Sequence, residues 1–465
     1  MYIHPCVSTD KVLAMLQKLQ QLGTEVHQFC MYYKGEKMLE FAPAPYHCED
    51  KRRVNSVSKT FTATAVGLCY DRGLLKPEDL LVRFFPEEMT KNTDPKLARL
   101  TLHDLLTMQT AIEDRLSTID KTGEVVSGLL SHTYASNVPG FAYNNTATYL
   151  LSAVVTRLTG CTVLDYLRRE LFPVLGIHGV SWPTLDGVTE GAAGLRVCAD
   201  DICRLMLLYS NGGMWHGKQL LSRQWVEMAS AVQVSTEFDN TFRWSTQGYG
   251  YQIWRNYKDG YRATGAGGQY GFVFPSIDVV FGHEGAVQNN DETDDLYYSF
   301  CADFQGPSTL SVQELEQYIN TMYLPLNGTL SGFGGFDKDY ALDPNDLGFT
   351  LLRLTAKEDA VECEFSDGEY LQSMTFGLGK WVENRIFAHN FRPELYGLTI
   401  PRREVVHFDA SCQVNADGIL EVMLRFRDCN FHYLMTISAF ETLELQFDTA
   451  NLTSGAKCLT GRAIC

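Results

Sequence analysis

The pattern of apolar residues changes once along this 465-residue chain, near residue 324. Before that point helical and strand patterns are mixed. After it, almost every apolar run alternates as a strand does: LGFTLLRLT, AVECEFSDG, ILEVMLRFRD, FHYLMTISAF and TLELQFD. Between the two regions lies PLNGTLSGFGG, rich in glycine and without a period, which reads as a linker or long loop. The length allows two or three domains. The expected division is an α/β or α+β body over 1–325, a linker over 326–345 and a β-rich domain over 346–465. Short alternating strands separated by turn signals predict a small antiparallel barrel or sandwich for the last of these.

Within the body, residues 8–22 read as a helix capped by Ser8, with Val12, Leu13, Leu16 and Leu19 as its stripe. A hairpin follows, turning at Lys34-Gly35-Glu36. Residues 56–72 read as a helix stopped by Gly73. NTATYLLSAVVTRLTG and ADDICRLMLLYSNGG are helical patterns, and GQYGFVFPSIDVVFGHEG is strand-like.

The residues 54–67, VNSVSKTFTATAVG, carry the first chemical signal. Side chains three apart share a helical face, so Ser56 can meet Lys59, whereas Ser58 points about 100° away. A serine hydroxyl becomes a nucleophile beside a base, and a lysine serves as one when desolvation lowers its pKa. The ordinary alternative is an N-cap serine and a solvated lysine. The apolar helix behind it (Phe61, Ala65, Leu68, Cys69) favours burial of Lys59.

The second signal is Tyr143-Asn144-Asn145, ahead of a helix. A tyrosine beside a lysine can have a depressed pKa and exchange protons with serine. Asn145 can hold both the lysine and a substrate carbonyl, or it can simply cap the helix. The third is Ala266-Gly267-Gly268-Gln269, read as the start of a strand. There a free N–H, that of Gln269, can pair with the Ser56 N–H on a carbonyl oxygen. A plain glycine turn is the other reading.

The net charge is −17, from 39 basic and 56 acidic residues, which argues against a nucleic-acid or anionic-membrane binder. No secretory signal and no run of 18 apolar residues is visible, so no membrane partner is expected. Thirteen irregularly spaced cysteines suit free thiols and a cytoplasmic location. Without CxxC or HExxH, no metal or other cofactor is expected. His103, His132 and His283 read as isolated surface or core histidines, and Asp200-Asp201 as a helix cap.

The order S-x-x-K, Y-x-N, x-G-G resembles the serine β-lactamase and penicillin-binding protein superfamily, particularly class C-like β-lactamases, D-aminopeptidases and related esterases. LTLHDLLTMQTAIED and GGQYGFVFPSIDVVF look like the same family. The resemblance covers roughly residues 25–300. It implies an antiparallel sheet flanked by helices, and the C-terminal strands resemble, more loosely, a lipocalin-like barrel. It implies Ser56 as acylated nucleophile and Lys59 with Tyr143 as the proton-transfer pair. Asn145 would orient substrate and lysine. Ala266, Gly267, Gly268 and Gln269 would line the substrate, with the Gln269 N–H as oxyanion donor. The implied activity is a metal-independent serine hydrolase acting through an acyl-enzyme on a small ester, amide or short peptide. Where the third motif usually begins with Lys or His, this chain has Ala266, or Ala263 in the competing register Ala263-Thr264-Gly265. A poor β-lactamase is therefore expected. The alternative is a non-catalytic ligand-binding protein that keeps the fold.

Overall fold

A computed structural model describes residues 1–88, 93–116, 124–132, 140–238, 243–345, 348–366, 368–387, 405–429, 432–439, 441–449 and 457–464. The His132 side chain lies outside the described residues. The chain divides into two compact units, one of residues 1–42 and 48–316, the other of 43–47 and 317–465.

The first unit is built on a seven-stranded antiparallel sheet. Its order is Tyr2–Ile3, Glu36–Phe41, Glu25–Tyr33, Val279–Ala286, Gln269–Phe274, Tyr261–Gly265 and Trp254–Arg255. The helix Ala199–Ser210 packs on these strands. Helix Asn290–Ala302 also joins the sheet, Tyr297 packing on Phe29 and Phe281 at ring distances of 5.6 and 5.0 Å. The strand-like stretch GQYGFVFPSIDVVFGHEG forms two strands, Gln269–Phe274 and Val279–Ala286, whose residues are buried throughout.

The helix expected over 56–72 begins as a 3-10 turn, Asn55–Val57, and continues as an α-helix over Ser58–Asp71. It is buried from Ser58 to Cys69 and packs against helix Asn145–Thr159. A helix buried on all sides lies inside the core rather than on its surface. The 3-10 turn ends against the strand Tyr261–Gly265. That packing sets the site.

The second unit is a closed barrel. Nine strands follow round the ring: Leu371–Gly377, Ala360–Ser366, Leu351–Ala356, Lys338–Leu342, Lys457–Ile464, Thr442–Thr449, His432–Ala439, Leu420–Phe426 and Val405–Val414. A bridge from Gly377 to Ser411 closes it, and Val382–Phe387 adds a tenth strand beside Val405–Val414. Alternate residues such as Leu352, Leu354, Val361, Cys363, Phe365, Phe376, Phe408 and Phe426 fill the interior, as the period of two requires. The strand Lys338–Leu342 corrects the stretch 326–345 expected as linker. Five residues beside a glycine run carry too little pattern to stand out. Residues 43–47 join this unit through Tyr46, which meets Tyr323 and accepts a bond from Arg425 Nη1 at 3.4 Å.

Candidate active site

The 3-10 turn presents Ser56 to Lys59. Lys59 Nζ donates to Ser56 Oγ at 3.1 Å, to Asn145 Oδ1 at 2.7 Å and to the Ala192 carbonyl at 2.9 Å. All three donor positions of an ammonium are thereby used. Lys59 is 1% exposed. Burial pulls its pKa from 10.5 down to about 7, while Asp114 and Glu190 act in the opposite direction. An amine near 7 is half neutral at ordinary pH, which suits proton transfer. Ser58 takes no part. It is fully buried and its Oγ accepts the Leu195 N–H at 3.2 Å, so it holds the loop that carries Ala192.

Tyr143 approaches from the segment before helix Asn145–Thr159. Its phenol lies close enough to Ser56 for the serine to favour the ionised form, and its ring lies 4.8 Å from Lys59 Nζ. The ring stacks on Trp254 at 5.7 Å and 19°, with Phe141 and Tyr249 beside it. The depressed pKa expected from sequence is corrected. Protein packed round the phenol raises its pKa, and the nearby Ser56 offsets only part of this. A neighbouring lysine depresses a phenol only while charged, and a Lys59 pKa near 7 leaves it only about half charged at neutral pH. The side chain is 37% exposed, so solvent softens the rise.

Asn145 is the first residue of its helix. The cap is Asn144, whose side chain accepts from Ala147 N at 2.9 Å. Sequence reasoning missed Asp114. Its carboxylate accepts from the N–H of Asn145 and of Thr146, both at 3.1 Å, and from Asn145 Nδ2 at 2.9 Å. This fixes the Asn145 amide with its oxygen toward Lys59. A carboxylate at a helix N-terminus is also favoured by the helix dipole. Glu190 and Ala192 were missed as well, because the loop bringing them to Lys59 has no local signal. The pair of acidic residues in AIEDRL was the one visible hint of Asp114.

The third motif is placed differently from its sequence reading. Ala266, Gly267 and Gly268 form the turn between strands Tyr261–Gly265 and Gln269–Phe274, with Gly267 and Gly268 at φ 88° and 109°. Ala266 is exposed in that turn and does not open a strand. Gln269 is 1% exposed and pairs with Gly265 on one side and Glu284 on the other. The N–H of a strand residue flanked on both sides goes to its ladder. Gln269 therefore does not offer an oxyanion donor. Among the described residues, the Ser56 and Ala266 N–H groups have no hydrogen-bond partner. Asn55 Nδ2 ties the two segments by donating to the Ala266 carbonyl at 2.7 Å and to Gln269 Oε1 at 3.1 Å. Arg262 is fully buried, paired with Asp294 at 2.5 Å and laid over Tyr270 and Phe272.

His283 is structural, and His103 meets the Tyr251 hydroxyl at 3.0 Å. His283 is buried against the Gly268 carbonyl at 2.9 Å, and burial lowers its pKa to about 4. Asp201 accepts the Cys198 N–H at the start of helix Ala199–Ser210. Cys30, Glu40 and Asp200 bring ligand-type atoms within 4.8 Å of one another. Lys37 already bonds both carboxylates, at 3.0 and 3.1 Å, and Arg204 bonds Asp200 at 2.8 Å, so the two negative charges are met by two cations within the fold. The twelve described cysteines are free. No single described helix is long and apolar enough to cross a membrane.

An antiparallel sheet covered by helices, with S-x-x-K at the head of a buried helix, is the arrangement implied by the sequence resemblance. The chain belongs to the Beta-lactamase family, whose model matches residues 31–283, more than half of its length. A curated 6-aminohexanoate-dimer hydrolase of Paenarthrobacter ureafaciens is 24% identical over 251 residues, 49% of this chain and 63% of that protein. The chain thus spans less than two thirds of the relative's length. The structure of EstA from Arthrobacter nitroguajacolicus Rue61a matches with a TM-score of 0.52 at 17% identity, covering 66% of this chain and all of EstA. The octameric penicillin-binding protein homologue from Pyrococcus abyssi matches 97% of this chain and 99% of its own, at 13% identity and a TM-score of 0.50. These structural likenesses carry the fold of both units.

Proposed function

We propose that this chain is a serine hydrolase that forms an acyl-enzyme at Ser56 on a small ester, amide or short peptide. The observation that carries the reading is the buried Lys59 amine, 3.1 Å from Ser56 Oγ with a pKa near 7. Neutral Lys59 takes the Ser56 proton as Oγ attacks the carbonyl carbon. The oxyanion that forms lies against the N–H groups of Ser56 and Ala266. Tyr143, protonated because its pKa is raised, gives its proton to the leaving group and regains one through Lys59. Water then hydrolyses the acyl-enzyme by the reverse sequence. Each base in this scheme is a side chain, so the steps need no metal.

The name of the curated relative, a 6-aminohexanoate-dimer hydrolase, supports hydrolysis of a small substrate. A low activity on β-lactams is part of the proposal. Ala263 and Ala266 offer no charge, and Arg262 is committed to Asp294. A substrate carboxylate thus lacks a bond worth about 1.5–3 kcal/mol. The test is a stopped-flow assay with p-nitrophenyl esters beside a chromogenic cephalosporin. A burst of one p-nitrophenol per chain followed by turnover is expected, with the esters preferred. Binding without a burst contradicts the acyl-enzyme.

A further inference from the structure

Asn55 stands where the backbone needs a residue tolerant of left-handed geometry, at φ 44°. Asparagine accepts this conformation better than most residues with a side chain, and glycine accepts it more easily still. Backbone shape alone therefore explains a small residue here and leaves the amide unexplained. That amide is 5% exposed and spends both N–H donors across the site, on the Ala266 carbonyl and on Gln269 Oε1. Gln269 in turn donates to the Gly285 carbonyl at 3.4 Å, which anchors the link in the central sheet. The two segments lie very close. A Cβ on Gly265 would meet the Val54 carbonyl at 2.4 Å and Asn55 Cβ at 3.3 Å. Only a glycine lets the strand end approach the serine turn so closely.

We infer that Asn55 is a positioning residue, which sets the distance between the Ser56 N–H and the Ala266 N–H so that both reach one oxyanion. The inference rests on the proposed acyl-enzyme function and adds a residue that touches neither substrate nor nucleophile oxygen. Holding the Ala266 carbonyl holds the residue whose own N–H stays free. Losing the clamp lets the exposed turn drift, and misplacing a donor by an ångström costs on the order of 10²-fold in rate.

The experiment compares wild type with Asn55→Gly and Asn55→Asp. Asn55→Gly keeps the backbone conformation and removes the clamp. Asn55→Asp keeps the shape and replaces two donors with acceptors. The readouts are kcat and KM on a p-nitrophenyl ester, the rate of fluorophosphonate labelling at Ser56, and affinity for phenylboronic acid, whose tetrahedral adduct mimics the oxyanion. Both variants should lose roughly 10- to 100-fold in kcat, labelling rate and boronate affinity. KM should stay within about threefold, as for an interaction made in the transition state. In Asn55→Gly the acid limb of the pH profile should not move, because no charge near Lys59 is altered, whereas the new carboxylate of Asn55→Asp should move it to higher pH. A purely structural Asn55 would lower thermal stability and leave those three readouts equal in the folded fraction. Wild-type kcat and boronate affinity in Asn55→Gly overturn the inference and leave the proposed function standing. A wild type that neither turns over the ester nor labels at Ser56 overturns both.

Discussion

The two units bury their interiors by different rules. The barrel interior is apolar, from Leu352 and Phe376 to Phe408 and Phe426, and its unit buries few charges, Asp409, Arg425 and Asp428, the first met by two bonds from Arg427 at 2.5 and 2.9 Å. The body buries Lys59, Arg52, Glu284, Arg262, Asp294, His27 and His283. Burying a charge without full pairing is expensive. The lowered pKa of Lys59 and the raised pKa of Glu284 record that cost. A barrel that follows the binary pattern needs only its fold explained. A body that departs from the pattern beside a serine points to chemistry there.

Removing the base should break this contrast most severely. Lys59→Ala should lose on the order of 10²-fold or more in turnover, and Tyr143→Phe a similar amount. The double variant should fall no further than either alone, since the two act as a unit. Steady-state kinetics on one ester checks all three. Full turnover in Tyr143→Phe removes the tyrosine from the scheme.

A smaller effect isolates the electrostatics. Neutral Lys59 is the active form and its pKa is about 7, so kcat/KM should rise with pH through that value. Asp114 favours the charged lysine. Asp114→Asn should therefore shift the rising limb to lower pH. It should also cost about 0.5–2 kcal/mol of stability through the weakened cap. A shift to higher pH contradicts the assignment of the limb to Lys59.

The smallest effect on chemistry belongs to the barrel. Phe376 is fully buried in its core. Phe376→Ala should cost about 3–5 kcal/mol of stability in that unit. Labelling of Ser56 at 25 °C should stay within about twofold, since no surface or charge is altered. Calorimetry and labelling on the same sample decide it.

What the sequence disclosed follows from range. Ser56 and Lys59 are three residues apart, and a helix turns that spacing into contact. Five barrel strands announced themselves by alternation, whereas Lys338–Leu342, Leu371–Gly377, Val382–Phe387, Val405–Val414 and Lys457–Ile464 were not read from the sequence. Asp114 and Ala192 come to the Lys59 site on loops, and only the acidic pair in AIEDRL hinted at the first of them. The Ala266-Gly267-Gly268 turn was read as a strand start because glycines open both. The positive φ angles that decide between the two are set by the hairpin as a whole. The direction of the Tyr143 pKa needed the burial of its neighbours, which only the fold supplies.

The central claim is that Ser56, and not Ser58, is the nucleophile. It is tested most directly by treating the chain with a fluorophosphonate and mapping the labelled peptide by mass, in wild type, Ser56→Ala and Ser58→Ala. Ser58 is buried and bonded to the Leu195 N–H, whereas Ser56 faces Lys59. The account predicts one label per chain on Ser56 in the wild type and in folded Ser58→Ala, and none in Ser56→Ala. A label on Ser58, or full esterase turnover in Ser56→Ala, would contradict it.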